Sequence, residues 1–512
     1  MVIILLFILF FLSRVFFINQ QGVFFDSTEY FQLFSNPDFL KAIVSGHFPP
    51  HEGYILLFWP LFQLVQYFHG DGAYIVILAQ IVLSFGTIVC FYQFVTYLSD
   101  KRTAIYASII ASLLPLFWIV NVTLMMENAY AAFFFLSLLF LTRYLANKKK
   151  HNDRQLHISL LFFAVALLTQ TTIILWAPLY LAIVLIKRKE VLKKVLVWLS
   201  LYVAAFSLFN IFFISWVLSM HLQTVAFFLY LSKSTEFAML GFDIKSVLII
   251  LRNFLIPLLR NNTILITLLA SVSLAIALKN NKKLFLIGFL WIIPALYTNQ
   301  WWDSLLNGRH GLLAGFGMAF LVAYLLKKKP FIMSLVILYL LFVSIPTLNL
   351  LRGEIPYLQE AEFAKSLPKE SLFIESHFAR PQVQDAVKGK TIYINEPAWP
   401  KETLTKEINT YLAKNQPVFV SSAALSEPYG LYSGPYLHNL TLSYIHPFEL
   451  EPFITNYKLQ VYKVINAQDN LIIYKVVEAK KSPYPEIKNM RDHSRRIDYS
   501  DPLWRTYRLL NL

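Results

Sequence analysis

Over its first two thirds the chain alternates long apolar runs with short basic clusters; it then changes to short segments of strand and helix pattern bounded by proline. Apolar runs long enough to span a bilayer lie near residues 1–18, 73–98, 103–120, 128–146, 195–219, 263–279, 284–299, 311–326 and 331–348. The first begins at Met1, lacks a basic leader and a small-residue cleavage pattern, and reads as a retained span. The stretch 157–186 is too long for one crossing. It predicts two short spans turning around Gln170-Thr171-Thr172. Segment 54–68 is apolar but short, aromatic-rich and preceded by Pro49-Pro50, which predicts a helix lying in the interface.

That last assignment sets the register of every later loop. With about eleven spans and 54–68 not among them, the basic clusters Lys101-Arg102, Lys148-Lys149-Lys150, Lys187-Arg188-Lys189, Lys282-Lys283 and Lys327-Lys328-Lys329 all fall on one side. The positive-inside rule makes that side the cytoplasm. The loop 220–262 then lies outside with an apolar helix near 244–260. Past residue 349 the pattern predicts strands at 371–375, 390–394, 417–421, 459–464 and 471–476 and a helix at 401–414. The expected architecture is a polytopic α-helical membrane protein. Its parts are a transmembrane domain (1–349), a small extracytoplasmic α/β domain (350–479) and a basic tail (480–512) that suits anionic headgroups.

Composition sharpens this. Of 512 residues, 57% are hydrophobic and 15% charged, and the mean hydropathy of +0.54 excludes a soluble globular protein. The net charge of +15 sits in the loop clusters, so it implies a membrane partner and no nucleic acid. Cys90 is the single cysteine, which rules out an intramolecular disulfide and a thiolate zinc site.

Four polar features land on the outer face in this topology. They are Asp26 with Glu29 just after the first span, the segment His47-Phe48-Pro49-Pro50-His51-Glu52-Gly53-Tyr54, Glu127-Asn128 at the start of a span, and Asn307-Gly308-Arg309-His310 before a late one. Carboxylates beside lipid are costly and tend to mark function. Each feature also has a plainer reading. Asp26-Ser27-Thr28-Glu29 fits a capping box, Glu127 suits a helix dipole, Arg309 can snorkel to headgroups, and His47 and His51 can be interfacial polar residues. Chance would scatter such groups over both faces, so their convergence carries more weight than any one of them.

On these residues the chain resembles the GT-C superfamily of membrane glycosyltransferases, in the branch of protein O-mannosyltransferases and aminoarabinose transferases. The shared features span roughly residues 1–350. They are the external acidic motif, the His/Pro-Pro segment before a juxtamembrane helix, the second acid at Glu127, the Leu168–Thr172 turn and the arginine before a late span. The chain departs where Ser27-Thr28 separates two acids that are often adjacent, where Gln170 replaces a frequent lysine, and where His310 rather than tyrosine follows Arg309.

The resemblance implies an inverting transfer of sugar from a polyprenyl-phosphate donor to a hydroxyl of a glycan, lipid or protein acceptor on the outer face of the cell membrane. Asp26 is expected as general base, with Glu29 and Glu127 as accompanying acids. Arg309 is expected on the departing phosphate, with Arg252, Arg260 and Lys233 as further cations. His47, His51, His310 and Gln170 are expected as donor-binding groups. A divalent metal is compatible with Asp26, Glu127 and a histidine, but no obligatory cofactor or metal site is expected. Three alternatives stand beside this reading: a lipid-linked sugar polymerase or ligase, a lipid-linked sugar transporter or flippase, and a non-catalytic scaffold. A transporter would place charge at mid-membrane depth, whereas the span interiors here are nearly free of it.

Overall fold

The computed structural model describes residues 2–19, 25–44, 51–147, 153–219, most of 251–298, 311–351, 356–376, 383, 386–394, 401–425, 457–466 and 470–479. Contacts divide the chain into two units, Met1–Gly22 with Glu29–Ile345, and Val23–Thr28 with Pro346–Leu512.

The first unit is helical. Its helices are α1 (Val2–Val15), α2 (Phe25–Ser35), which straddles the division, α3 (Phe39–Val44), α4 (Glu52–Tyr67), α5 (Gly72–Leu98), α6 (Lys101–Leu113), α7 (Pro115–Asn121), α8 (Glu127–Ala146) and α9 (Asp153–Thr169). A 3₁₀ turn at Thr171–Trp176 leads into α10 (Ala177–Lys187) and α11 (Leu192–Ser219). They are followed by α12 (Ile264–Asn280), α13 (Lys282–Ile292), α14 (Pro294–Thr298), α15 (Leu312–Leu326) and α16 (Pro330–Leu351), which also straddles the division, after Ile345. Three described stretches are single helices long and apolar enough to cross a membrane: Gly72–Leu98, Glu127–Ala146 and Lys189–Phe209. A fourth candidate is the pair α6 and α7, bent by 63°. By its 16 residues, α4 is about 24 Å long, short of the ~30 Å hydrocarbon core.

The α6–α7 break comes from Pro115. Proline has no N–H and disfavours helix in the residue before it, and Leu114 accordingly adopts φ −58°, ψ 131°. The carbonyls freed at the end of α6 are satisfied from elsewhere in the bundle. Arg14 of α1 donates from Nη2 to Ser112 O, and Ser344 of α16 donates from Oγ to Leu113 O at 2.8 Å. Inside an apolar bundle such carbonyls need partners. The Arg14 guanidinium also lies over the rings of Phe10 and Trp118, at 3.9 and 4.4 Å.

Basic residues tie one end of this bundle together. Lys327, just past α15, pairs with Asp100 at the head of α6 at 2.9 Å. Lys187 Nζ donates to Tyr97 O at 3.0 Å, Arg188 Nη1 to Tyr144 O at 3.4 Å, and Lys194 pairs with Asp153 at 2.6 Å. The basic loops at 101, 187 and 327 thus share one end, as the charge pattern predicts.

The second unit holds α17 (Pro356–Ala364), α18 (Lys401–Ala413), α19 (Ser422–Leu425) and strands β1 (Leu372–Ser376), β2 (Lys390–Ile394), β3 (Val418–Ser421), β4 (Tyr457–Asn466) and β5 (Asn470–Ala479). The sheet order is β2-β1-β3-β5-β4. β2, β1 and β3 are parallel, and β5 turns antiparallel to β3 and pairs with β4. Alternation along the strands splits the core in two. Leu372, Ile374, Val418 and Val420 pack with Leu404 and Ile408 of α18, while Phe373 and Phe419 pack with Ala361 and Ala364 of α17. This is a helix–sheet–helix sandwich, with each predicted strand within two residues of its place at the start and three or fewer at most ends.

Candidate functional site

Polar residues from five elements of the first unit gather around the start of α4. Tyr54, the third residue of α4 and the first of the aromatic segment, is fully buried. Its Oη accepts from Gln80 Nε2 of α5 at 2.6 Å. The same Nε2 donates to Met125 O at 2.8 Å, which ties the strap before α8 to α4 and α5. Tyr30 of α2 packs edge-on against Tyr54, with ring centroids 4.7 Å apart, and lies 6.2 Å from the His51 ring.

Glu127 opens α8 and is 0% exposed. Its neighbour Asn128 is locked in place. Asn128 Oδ1 accepts from Ser84 Oγ at 2.9 Å and from Asn121 Nδ2 at 2.8 Å, and its Nδ2 donates to Val120 O. These bonds bind α5, α7 and the first turn of α8 into one rigid corner, so Glu127 is held by its neighbour's bonds. Burial, and then the Glu127 charge, raise the Tyr54 phenol well above its usual 10, with the Gln80 bond pulling the other way.

The predicted turn at Leu168–Thr172 meets the head of α4. His51 Nδ1 stands 3.2 Å from Thr169 O. A carbonyl can only accept, so this contact puts the proton of a neutral ring on Nδ1. Gly53 lies against the same turn: a Cβ there would stand 2.7 Å from Thr169 Oγ1 and 2.9 Å from Thr169 N. Only a residue without a side chain allows that approach. Gln170 is buried at the bend, with φ −154° and ψ 111° between α9 and the 3₁₀ turn.

Beside them stands Glu52, to which sequence reasoning gave no role. It is the first residue of α4 and 2% exposed, and its Oε1 is buried without a hydrogen-bond partner among the described residues. Burial raises its carboxyl from the usual 4.5 to about 8, against the pull of its own backbone N–H. At neutral pH it is predominantly protonated. Gln80 and Asn121 were missed as well. Both are amides within or beside apolar helices, and polar groups in such surroundings are a signal of function or of helix pairing. An acid directly after Pro-Pro-His in an aromatic segment was the visible sign for Glu52.

The other predicted residues stand as follows. Asp26 and Glu29 are the second and fifth residues of α2, so Asp26 lies inside the helix and not at its N-cap, where a capping box would require it. Their side chains lie outside the described residues. So do His47, Lys233, Arg252, Arg260, Arg309 and His310, the expected cationic half of the site. The site residues brought together are therefore His51, Glu127 and Gln170. Among the described residues no group of three or more His, Cys, Asp or Glu could hold a metal ion.

Against known proteins, residues 54–216 match the family described as dolichyl-phosphate-mannose-protein mannosyltransferase. The match takes in Tyr54, Gln80, Glu127 and Gln170, and begins after Asp26, His51 and Glu52. The structure of ArnT from Cupriavidus metallidurans bound to undecaprenyl phosphate aligns at TM-score 0.52 and 10% identity, over 93% of this chain and 97% of that chain. The chain has the GT-C fold. Archaeal oligosaccharyltransferase AglB from Archaeoglobus fulgidus, in complex with an inhibitory peptide and a dolichol-phosphate, aligns at TM-score 0.47 and 10% identity, over 88% of this chain and 72% of that chain. No curated protein matches the sequence. Within the GT-C fold of this chain, the buried polar corner joins α4, α5, α8 and the turn after α9. Its members on these elements fall in or directly before the matched stretch 54–216, and Tyr30 of α2 lies ahead of it.

Proposed function

We propose that this protein is an inverting glycosyltransferase that moves a sugar from a polyprenyl-phosphate donor to an acceptor hydroxyl on the outer face of the membrane. The observation that carries the reading is the buried corner of His51, Glu52, Tyr54, Gln80 and Glu127 in a chain with a GT-C fold. ArnT, which shares that fold, was solved with undecaprenyl phosphate, and this supports a polyprenyl-phosphate donor here. A rigid, dry set of acids suits a reaction that needs a base placed in advance and charge held away from water.

In this reaction the acceptor oxygen forms a bond to the anomeric carbon as the bond from that carbon to the phosphate oxygen breaks. The proton of the acceptor passes to Asp26, and the electron pair leaves with the polyprenyl phosphate. The leaving phosphate gains a negative charge as it passes from diester to monoester, and Arg309 is assigned to stabilise it, with Lys233, Arg252 and Arg260 as further cations. Glu29 and Glu127 orient the acceptor. The domain at 350–479 is assigned to the outer face, and the tail at 480–512 to the headgroups. A divalent ion would strengthen phosphate binding without changing this balance of atoms.

The test uses purified full-length protein in lipid with a panel of radiolabelled polyprenyl-phosphate sugars. Release of polyprenyl phosphate is followed for wild type and Asp26→Asn. Turnover in wild type and its loss, by about 10²-fold or more, in a variant with an unchanged melting temperature is the expected result. Equal turnover would remove Asp26 as base. Donor that changes sides of the membrane without bond cleavage would mark a flippase instead.

A further inference from the structure

Two separate features of the head of α4 mark the same spot. The helix begins at Glu52 with His51 at its N-cap making no side-chain cap bond, and Glu52 keeps a buried oxygen with no hydrogen-bond partner among the described residues. The carboxyl's bond to its own backbone N–H occupies one side of the group only. Holding the other oxygen dry costs free energy, a cost that any small residue at this position would have avoided. The surroundings leave it little freedom to turn elsewhere. Gly53 is pressed on Thr169, His51 meets Thr169 O, and Tyr54 is held by Gln80.

The charge around it selects the ligand chemistry. Glu127 acts electrostatically on Tyr54, two residues from Glu52. A phosphate here would add negative charge to a dry site beside the Glu127 carboxylate, where such repulsion is strong. A neutral hydroxyl adds none, and a carboxyl is equipped to bind it, because a protonated carboxyl both donates and accepts.

We infer that Glu52 binds a hydroxyl of the transferred sugar, and that it reads the sugar and not the lipid phosphate. This rests on the transferase reading above. Glu52 carries its proton at neutral pH, so it offers the sugar an O–H donor as well as a carbonyl acceptor. A site built to pair a hydroxyl discriminates well against a ligand that lacks it, because the buried partner is then left unpaired.

The experiment measures binding to full-length protein in nanodiscs of two ligands: polyprenyl phosphate, and the polyprenyl-phosphate sugar that wild type turns over. Wild type is compared with Glu52→Met, which fills the space without polar atoms, and Glu52→Gln, which keeps the shape and part of the bonding. Glu52→Met should bind polyprenyl phosphate as wild type does and the sugar-bearing lipid about tenfold or more weakly. Glu52→Gln should fall between, and serves alone if the methionine variant does not fold. Variants that bind both ligands as wild type does would overturn the inference and leave the transferase reading intact. Equal weakening for both ligands would also overturn it, by placing Glu52 on the phosphate side. A wild type that cleaves no donor in the panel would overturn the transferase reading and this inference with it.

Discussion

Replacing Glu52 by glutamine should stabilise the protein in a pH-dependent way, with a magnitude set by its surroundings. In the unfolded chain this carboxyl titrates near 4.5 and in the folded protein near 8. Below 4.5 both states hold the proton, and the residue's contribution to stability is fully present. As pH rises toward 8 the unfolded state releases a proton that the folded state keeps, and stability is lost. Each pKa unit between the states is worth about 1.4 kcal/mol, so the loss reaches about 5 kcal/mol once pH passes the folded value. Near pH 7 it is about 3 kcal/mol by the same conversion. Glutamine has the same shape and no proton to lose. Unfolding of both proteins in lipid, followed across pH 4 to 9, should give curves that meet at the acid end and diverge upward, with glutamine the more stable. Parallel curves would refute the reasoning, because they would show that Glu52 has solvent or a cation for company. With the binding result above, a gain in stability at a cost in function would mark a position kept for what it binds.

Other expectations follow from single contacts. Gln80→Leu removes a donor from both Tyr54 Oη and Met125 O; each lost hydrogen bond is worth about 0.5–1.5 kcal/mol, readable as a lower melting temperature with reduced turnover. Gly53→Ala sets a Cβ 2.9 Å from the Thr169 backbone N, so the turn must move, and turnover should fall more than stability does; unchanged turnover would free the turn from the site. In the second unit, Glu360 and Glu375 are both fully buried, and Ser421 Oγ donates to Glu375 Oε1 at 2.6 Å. Burial, and then the charge of Glu375, hold the Glu360 carboxyl well above its usual range. Its stabilising contribution is thus present in acid and lost as pH rises, so Glu360→Gln should increase hydrogen-exchange protection of β1 at neutral pH and change little near pH 4.

The sheet of the second unit was legible because its strands are short apolar, β-branched and aromatic runs and proline and charged residues bound them. Lys390–Ile394 was read to the residue. The bend at Gln170 and the helix over 54–68 were legible too, from length and from Pro49-Pro50. The break at Leu114 was not. The run 103–120 reads as one span, and a single proline inside an apolar helix gives no sign of whether the chain kinks or separates. That is decided by Arg14 and Ser344, which arrive from about 100 and 230 residues away to take the freed carbonyls. The site was half legible for the same reason. Glu127 and His51 showed themselves as polar groups in apolar stretches, but the bonds of Gln80 to Tyr54 and Met125 join segments 26 and 45 residues apart. No local pattern records such pairings. Asp26 remains a proposal drawn from sequence and resemblance.

The way the α6–α7 joint is secured bears on how the protein can be handled. Its two open carbonyls are closed by α1 and α16, the first and last helices of the first unit in chain order. α1 is therefore no interchangeable anchor. Trimming it past Arg14, or exchanging it for a generic membrane leader, would strand Ser112 O in an apolar interior. The slack would pass along α7 to Asn121, whose amide helps hold Asn128. A truncated or re-anchored protein could thus insert, express and still have lost the corner around Glu127, so fusions belong at the C-terminal end of the chain.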